Sequence, residues 1–109
     1  MIGHDQVILV DFDGTLHDIK HPVPGRRMGP PMPGAKEAMD ILKQRGNTLI
    51  VFSVRGYEPH RKVLADWLDY YQIPYDDITN IKVQCDWIID DRAIRHISWA
   101  NTLLKITGV

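Results

Sequence analysis

The chain has 109 residues, enough for one layered core, and its 44% hydrophobic and 25% charged content is that of an ordinary globular domain rather than a disordered one. A formal net charge of −1 without a long run of one sign speaks against a general nucleic-acid or membrane-surface binder. The single cysteine, Cys85, has no partner for a disulfide or a CxxC motif, no stretch approaches the roughly 20 apolar residues of a membrane span, and no signal-like segment opens the chain, so a cytoplasmic protein is the expectation.

The first apolar run, residues 7–10 (VILV), is apolar at every position and predicts a strand covered on both faces. It ends abruptly in Asp11-Phe12-Asp13-Gly14-Thr15. Residues 17–33 hold five prolines, two glycines and no periodicity, and predict a long loop of the kind that carries function in compact domains. Ala35, Ala38, Met39 and Leu42 follow helical spacing, with Gly46 as a stop signal. Residues 48–52 (TLIVF) predict a second strand, ending at Ser53. Val63, Leu64, Trp67, Leu68 and Tyr71 form the next helical stripe, closed by Ile73-Pro74. Residues 78–82 carry a weak strand pattern. Residues 87–89 predict another buried strand, ending at Asp90-Asp91. Ser98 is placed to cap a last helix carrying Trp99, Leu103 and Leu104. Both tryptophan-bearing stripes are expected to face the core.

Strands alternating with helices imply βαβ units: an α/β fold with a three-layer, Rossmann-like parallel sheet in a single domain, 1–109. Right-handed crossovers put the C-terminal ends of the strands on one edge, where ligands of open α/β sheets bind. Asp11, Ser53 and Asp90 can therefore converge although they lie far apart in sequence.

Four carboxylates, Asp11, Asp13, Asp90 and Asp91, are expected to meet at that edge. Like charges so close need a cation, and a set of oxygen donors without His or Cys favours Mg²⁺ over zinc. With the metal in place, an aspartate can attack a phosphoryl group, and a second carboxylate two residues on can act as general acid and base. Gly14 permits a tight turn that aims backbone N–H groups at phosphate, which makes Gly14 and Thr15 substrate-binding candidates. Ser53 can donate one hydrogen bond to a phosphate oxygen, and Lys82 can supply a positive charge. Each piece alone has a plainer reading: DxDG as a turn or a calcium-like loop, Ser53 as a cap, Lys82 as a solvated side chain, Asp90-Asp91 as a turn cap. Their order after successive strands is what joins them.

In that order the sequence resembles the haloacid dehalogenase (HAD) superfamily over nearly its whole length. Asp11-Phe12-Asp13-Gly14-Thr15-Leu16 matches the first motif, hhhDxDGT. Phe52-Ser53 matches the second, Lys82 the third, and Ile88-Ile89-Asp90-Asp91 the fourth. Residues 82–93 also resemble small bacterial and phage members reading roughly KPxADxxIDDRA, with Val83 in place of the proline. The resemblance implies that Asp11 is the nucleophile and a metal ligand, and that Asp13 is the general acid/base with its backbone carbonyl on the metal. Ser53 and Lys82 would hold the phosphoryl group, and Asp90 and Asp91 would complete the Mg²⁺ site. An acid at position 13 sets the chain apart from the dehalogenase and P-type ATPase branches and favours a phosphatase.

Relatives with a cap domain insert it after the first strand or after the third, and this chain has room for neither apart from the 17–33 loop, so a minimally capped enzyme is expected. Its open site would accept bulky substrates or borrow a lid from a second copy in a homo-oligomer. Arg55 stands where similar small phosphatases contact substrate, Arg26 and Arg27 could reach the same anion, Arg92 is placed to brace the acidic pair, and His17 and His21 could frame the mouth. Among phosphate esters, a small phosphorylated metabolite such as a sugar phosphate or nucleotide is favoured over nucleic acid. Two other readings are a receiver-like signalling module, whose acidic pair would follow the first strand instead of the last, and a catalytically silent HAD-like phosphate binder.

Overall fold

The apolar runs become the strands of one parallel sheet, and the helical stripes become the helices between them. The structure is a computed structural model that describes residues 3–26, 28–56 and 59–108. In chain order the elements are β1 (Val7–Asp11), α1 (Ala35–Gln44), β2 (Thr48–Phe52), α2 (His60–Tyr70), β3 (Asp77–Thr79), β4 (Trp87–Ile89) and α3 (Trp99–Thr107). The sheet order is β3-β2-β1-β4, and all three pairings are parallel. This is the α/β, Rossmann-like architecture expected, without a separate cap among the described residues. The chain steps outward from β1 to β2 to β3 and then returns to the other side of β1. The topological switch point therefore lies between β1 and β4, where open α/β sheets bind ligands. No helix among the described residues is long and apolar enough to cross a membrane.

One face of the sheet builds the core. Ile8 and Val10 of β1, Leu49 and Val51 of β2 and Ile78 of β3 join Met39 of α1 and Leu64, Trp67 and Leu68 of α2 in a single buried cluster. The period-2 alternation of the strands assigns these residues to one side. Leu9, Ile50 and Ile88 lie in one row on the opposite side, by the register Leu9↔Ile50 and Leu9↔Ile88.

Two expectations fail at the C-terminal end. Trp87, Ile88 and Ile89 are 44%, 46% and 38% exposed, although their apolar run predicts a covered strand. β4 is an edge strand: the register sets Trp87 and Ile89 on the helix-bearing face beside Ile8 and Val10, but α1 and α2 pack over β2 and β3 and leave β4 uncovered. Ser98 caps α3 as expected, its Oγ accepting from the Asn101 N–H at 3.1 Å. Yet α3 touches no other helix or strand among the described residues, and Trp99, Leu103 and Leu104 are exposed instead of core. A stripe sets which side of a helix is apolar, not what covers it. The weak pattern over 78–82 yields only the short β3, so Lys82 lies in the following loop.

Asp76 fastens α1 to the sheet. Its carboxylate accepts from Lys43 Nζ at 2.6 and 2.7 Å and from the Leu49 N–H at 2.7 Å. Partial burial pushes its pKa up, but the hydrogen bonds from Lys43 and Leu49 outweigh it and hold the carboxyl below the ordinary range. The folded pKa being depressed, this stabilisation is complete above the ordinary carboxylate range and is lost as pH falls through the folded value. We expect Asp76→Ala to lower stability by about 1–2 kcal/mol at pH 7. The difference should shrink progressively as pH falls below the ordinary carboxylate range, read by urea denaturation of both proteins at each pH.

Candidate functional site

The sheet register assembles the site. Asp11, the last residue of β1, pairs with Phe52, which sets Ser53 one step beyond the tip of β2. Val10 pairs with Ile89, so Asp90 follows level with Asp11. Asp11, Asp90 and Asp91 offer carboxylate oxygens within 4.8 Å of one another. They line a cavity of about 650 Å³ together with Asp13, His17, Ser53, Arg55 and Arg92. Ile19, Pro22 and Gly29 from the proline-rich loop form one of its walls.

The cluster is electrostatically unfavourable as it stands. Burial pushes the Asp11 carboxyl up to about 6, and the neighbouring charge of Asp90 and contact with Asp91 push the same way, against a hydrogen bond from Thr15. The Thr15 hydroxyl donates to Asp11 Oδ2 at 3.3 Å. The Asp90 side chain accepts from the Arg92 N–H at 2.8 Å, and Arg92 Nε lies 4.0 Å from Asp91, so Arg92 braces the pair as expected. Gly14 has φ 86°, and a Cβ there would collide with the Asp91 carboxylate. Glycine is thus needed twice over: for the left-handed turn and for the close approach of the Asp91 carboxylate.

Asp13, two residues on, has a different setting. Its carboxylate stands outside the three-membered cluster and accepts from Arg55 on both oxygens at 2.9 Å. His17 Nδ1 lies 2.8 Å from the same carboxylate. The Gly29 N–H donates to His17 Nε2 at 2.9 Å, so the ring's proton sits on Nδ1 and is donated to Asp13. His17 is 6% exposed, stacked on Phe12 and edge-on to Trp67. Trp67 Nε1 in turn donates to the Gly29 carbonyl at 3.0 Å. A chain of hydrogen bonds therefore runs from α2 through the loop to Asp13.

The loop itself is folded back on the first turn. Asp18 N–H donates to Pro30 at 2.9 Å and Met32 N–H to Leu16 at 2.7 Å, with an isolated antiparallel bridge between His17 and Pro31. Gly29 is required here, because a Cβ would run into the Asp18 carbonyl.

Ser53 is buried, and its Oγ accepts from the Arg55 N–H at 3.1 Å. The turn and the phosphate readings coexist, since the hydroxyl hydrogen is still available to donate. Other expectations are met differently. The Gly14 N–H donates to the His17 carbonyl at 2.8 Å and the Thr15, Leu16 and His17 N–H groups to Phe12, so these groups close the turn instead of facing the cavity. Lys82 lines a neighbouring cavity that it shares with Asp90, not the one that holds Asp11. Arg26 lies over the Tyr70 ring at 4.4 Å and donates to its hydroxyl, away from the acidic cavity. Arg27 falls outside the described residues. His21 pairs with Asp18 on the surface and does not line the cavity.

Sequence reasoning placed His17 at the mouth but missed its bond to Asp13. The available signal was spacing: His17 follows Asp13 by four residues across a glycine turn, which returns it to the carboxylate. Gly29 and the indole N–H of Trp67 left no such trace.

No family model and no curated protein matches the chain. Among solved structures, it is similar to a conserved protein from Bacteroides thetaiotaomicron, with 25% sequence identity and a TM-score of 0.68, over 96% of this chain and 92% of that one. The likeness spans the whole α/β unit.

His17→Ala removes a buried ring and both of its hydrogen bonds. It is expected to cost about 3 kcal/mol, measured by chemical denaturation. A change within a few tenths of a kcal/mol would mean that the ring does not hold the loop to Asp13.

Proposed function

We propose that the chain is a Mg²⁺-dependent phosphohydrolase of the HAD type, which hydrolyses a phosphomonoester through an aspartyl-phosphate on Asp11. The observation that carries this reading is the contrast between two carboxylates two residues apart. Asp11 belongs to a three-carboxylate cluster, while Asp13 stands beside it in the same cavity, held by Arg55 and His17.

The donor set fits a hard cation. Asp11, Asp90 and Asp91 offer oxygen only, and burial together with the neighbouring charge of Asp90 raises the pKa of Asp11, which a bound cation would offset. These three side chains would hold the ion, joined in the resemblance by the Asp13 carbonyl. Bound there, Mg²⁺ would neutralise phosphoryl oxygens and the charge of the cluster.

The residues divide the work as follows. The Asp11 carboxylate attacks phosphorus in line and the bond to the ester oxygen breaks, while Asp13, carrying a proton once Arg55 has turned from it to the substrate, gives that proton to the leaving oxygen. Asp13 then takes a proton from water, which attacks the phosphorus and frees Asp11 and inorganic phosphate. His17 aims the Asp13 carboxylate. The Ser53 hydroxyl donates to a phosphoryl oxygen. Arg55, which is bonded to Asp13, is placed to take a phosphate oxygen when substrate enters.

A cavity of about 650 Å³ suits a small phosphorylated metabolite, a sugar phosphate or a nucleotide, rather than a polymer. The near-neutral net charge favours the same class over nucleic acid.

Turnover of an aryl phosphate with Mg²⁺ tests the reading. Asp11→Asn should lower kcat by more than about 1,000-fold. Asp13→Asn should lower it by about 100- to 10,000-fold while leaving Mg²⁺ binding intact. Tight binding of a phosphate mimic without turnover of any phosphate ester would instead favour a silent binding module.

A further inference from the structure

The chain has two uncovered surfaces, and each is what the other lacks. Among the described residues the face of the sheet opposite α1 and α2 has no helix over it, and it opens into a cavity of about 690 Å³ whose lining includes Leu9, Phe52, Cys85 and Ile88. Helix α3, conversely, has no sheet. Trp99, Leu103 and Ile106 recur at i, i+4 and i+7 on one stripe and are 72%, 53% and 67% exposed.

Within one chain α3 is held by the segment just before it. His96 Nδ1 lies 2.7 Å from Thr102 Oγ1, and the His96 ring stands edge-on to Trp99 at 4.8 Å. Fastened this way, the helix touches none of its own strands. The edge of the sheet is also open. β4 pairs only with β1 and carries Trp-Ile-Ile, without the charges, proline or bulge that normally protect an edge.

We propose that a second copy of this chain supplies the missing layer, with α3 of each copy lying on the bare sheet face of the other about a two-fold axis. Such an exchange is self-complementary and closes at two copies. Ile88, Ile94, Trp99, Leu103 and Ile106 are each between 38% and 72% exposed. At roughly 100 Å² apiece they supply more than half of the roughly 800 Å² that each partner buries in a stable complex. The catalytic reading of Asp11 and Asp13 is not needed for this assembly, and neither stands nor falls with it.

Sedimentation equilibrium of the whole chain decides the matter. The expected mass is twice 12.5 kDa at micromolar concentration. Leu103→Asp combined with Ile106→Asp is expected to weaken association by more than 100-fold and to sediment at 12.5 kDa. A wild-type monomer at 100 µM would overturn the proposal, and so would a dimer that survives both substitutions. Should the variant not fold, amide hydrogen exchange of the wild-type chain decides. Protection of residues 99–107 must fall on dilution along with the dimer, and protection independent of concentration would overturn the exchange of helices.

Discussion

Three carboxylates whose oxygens lie within 4.8 Å of one another repel, and nothing in the local chain forces them together. The parallel register does. Val10↔Ile89 and Asp11↔Phe52 are pairings set by apolar residues buried elsewhere, and they deliver Asp90 and Ser53 to Asp11 as a by-product. Hydrophobic burial of the Ile8, Val10, Leu49 and Val51 face therefore supports the repulsion at the tips. Burial first, and the charge of Asp90 beside it, raise the pKa of Asp11.

The same constraint explains residues whose roles look unrelated. Gly14 must lack a side chain because Asp91 lies against it, and Thr15 and the Arg92 N–H give the crowded oxygens their hydrogen bonds. Asp13 escapes the cluster because the turn carries it to the other wall, where Arg55 and His17 receive it. That wall is tied through Gly29 to Trp67 in the middle of the core. Packing of α2 and the orientation of a proposed acid/base group are thus coupled by hydrogen bonds, and a disturbance in either reaches the other.

Much of this was legible in the sequence, where local chemistry and tertiary outcome agree. The strands over 7–10, 48–52 and 87–89 lie where fully apolar runs end in polar residues, and Ser98 caps α3 by its own side chain. Convergence of Asp11, Ser53 and Asp90 followed from the handedness of crossovers alone. What was not legible depends on partners distant in sequence. Arg26 looked like an anion ligand, but the Tyr70 ring, 44 residues away, holds it elsewhere. Lys82 looked like part of the acidic site, but β3 ends at Thr79, level with Phe52, and the loop beyond it takes Lys82 to the neighbouring cavity. The stripe of α3 looked like core, since periodicity cannot say whether the covering surface lies in the same chain.

The acidic cluster tests the account most directly, through calorimetric titration of metal-free chain with Mg²⁺ at pH 7.5 and pH 5. Because the Asp11 carboxyl titrates near 6, at pH 5 a proton must leave before the ion can enter. The account predicts one ion per chain at pH 7.5, binding about tenfold weaker at pH 5, and loss of the site in Asp90→Asn. Absence of binding at pH 7.5, or an affinity indifferent to both the pH and the substitution, would contradict it.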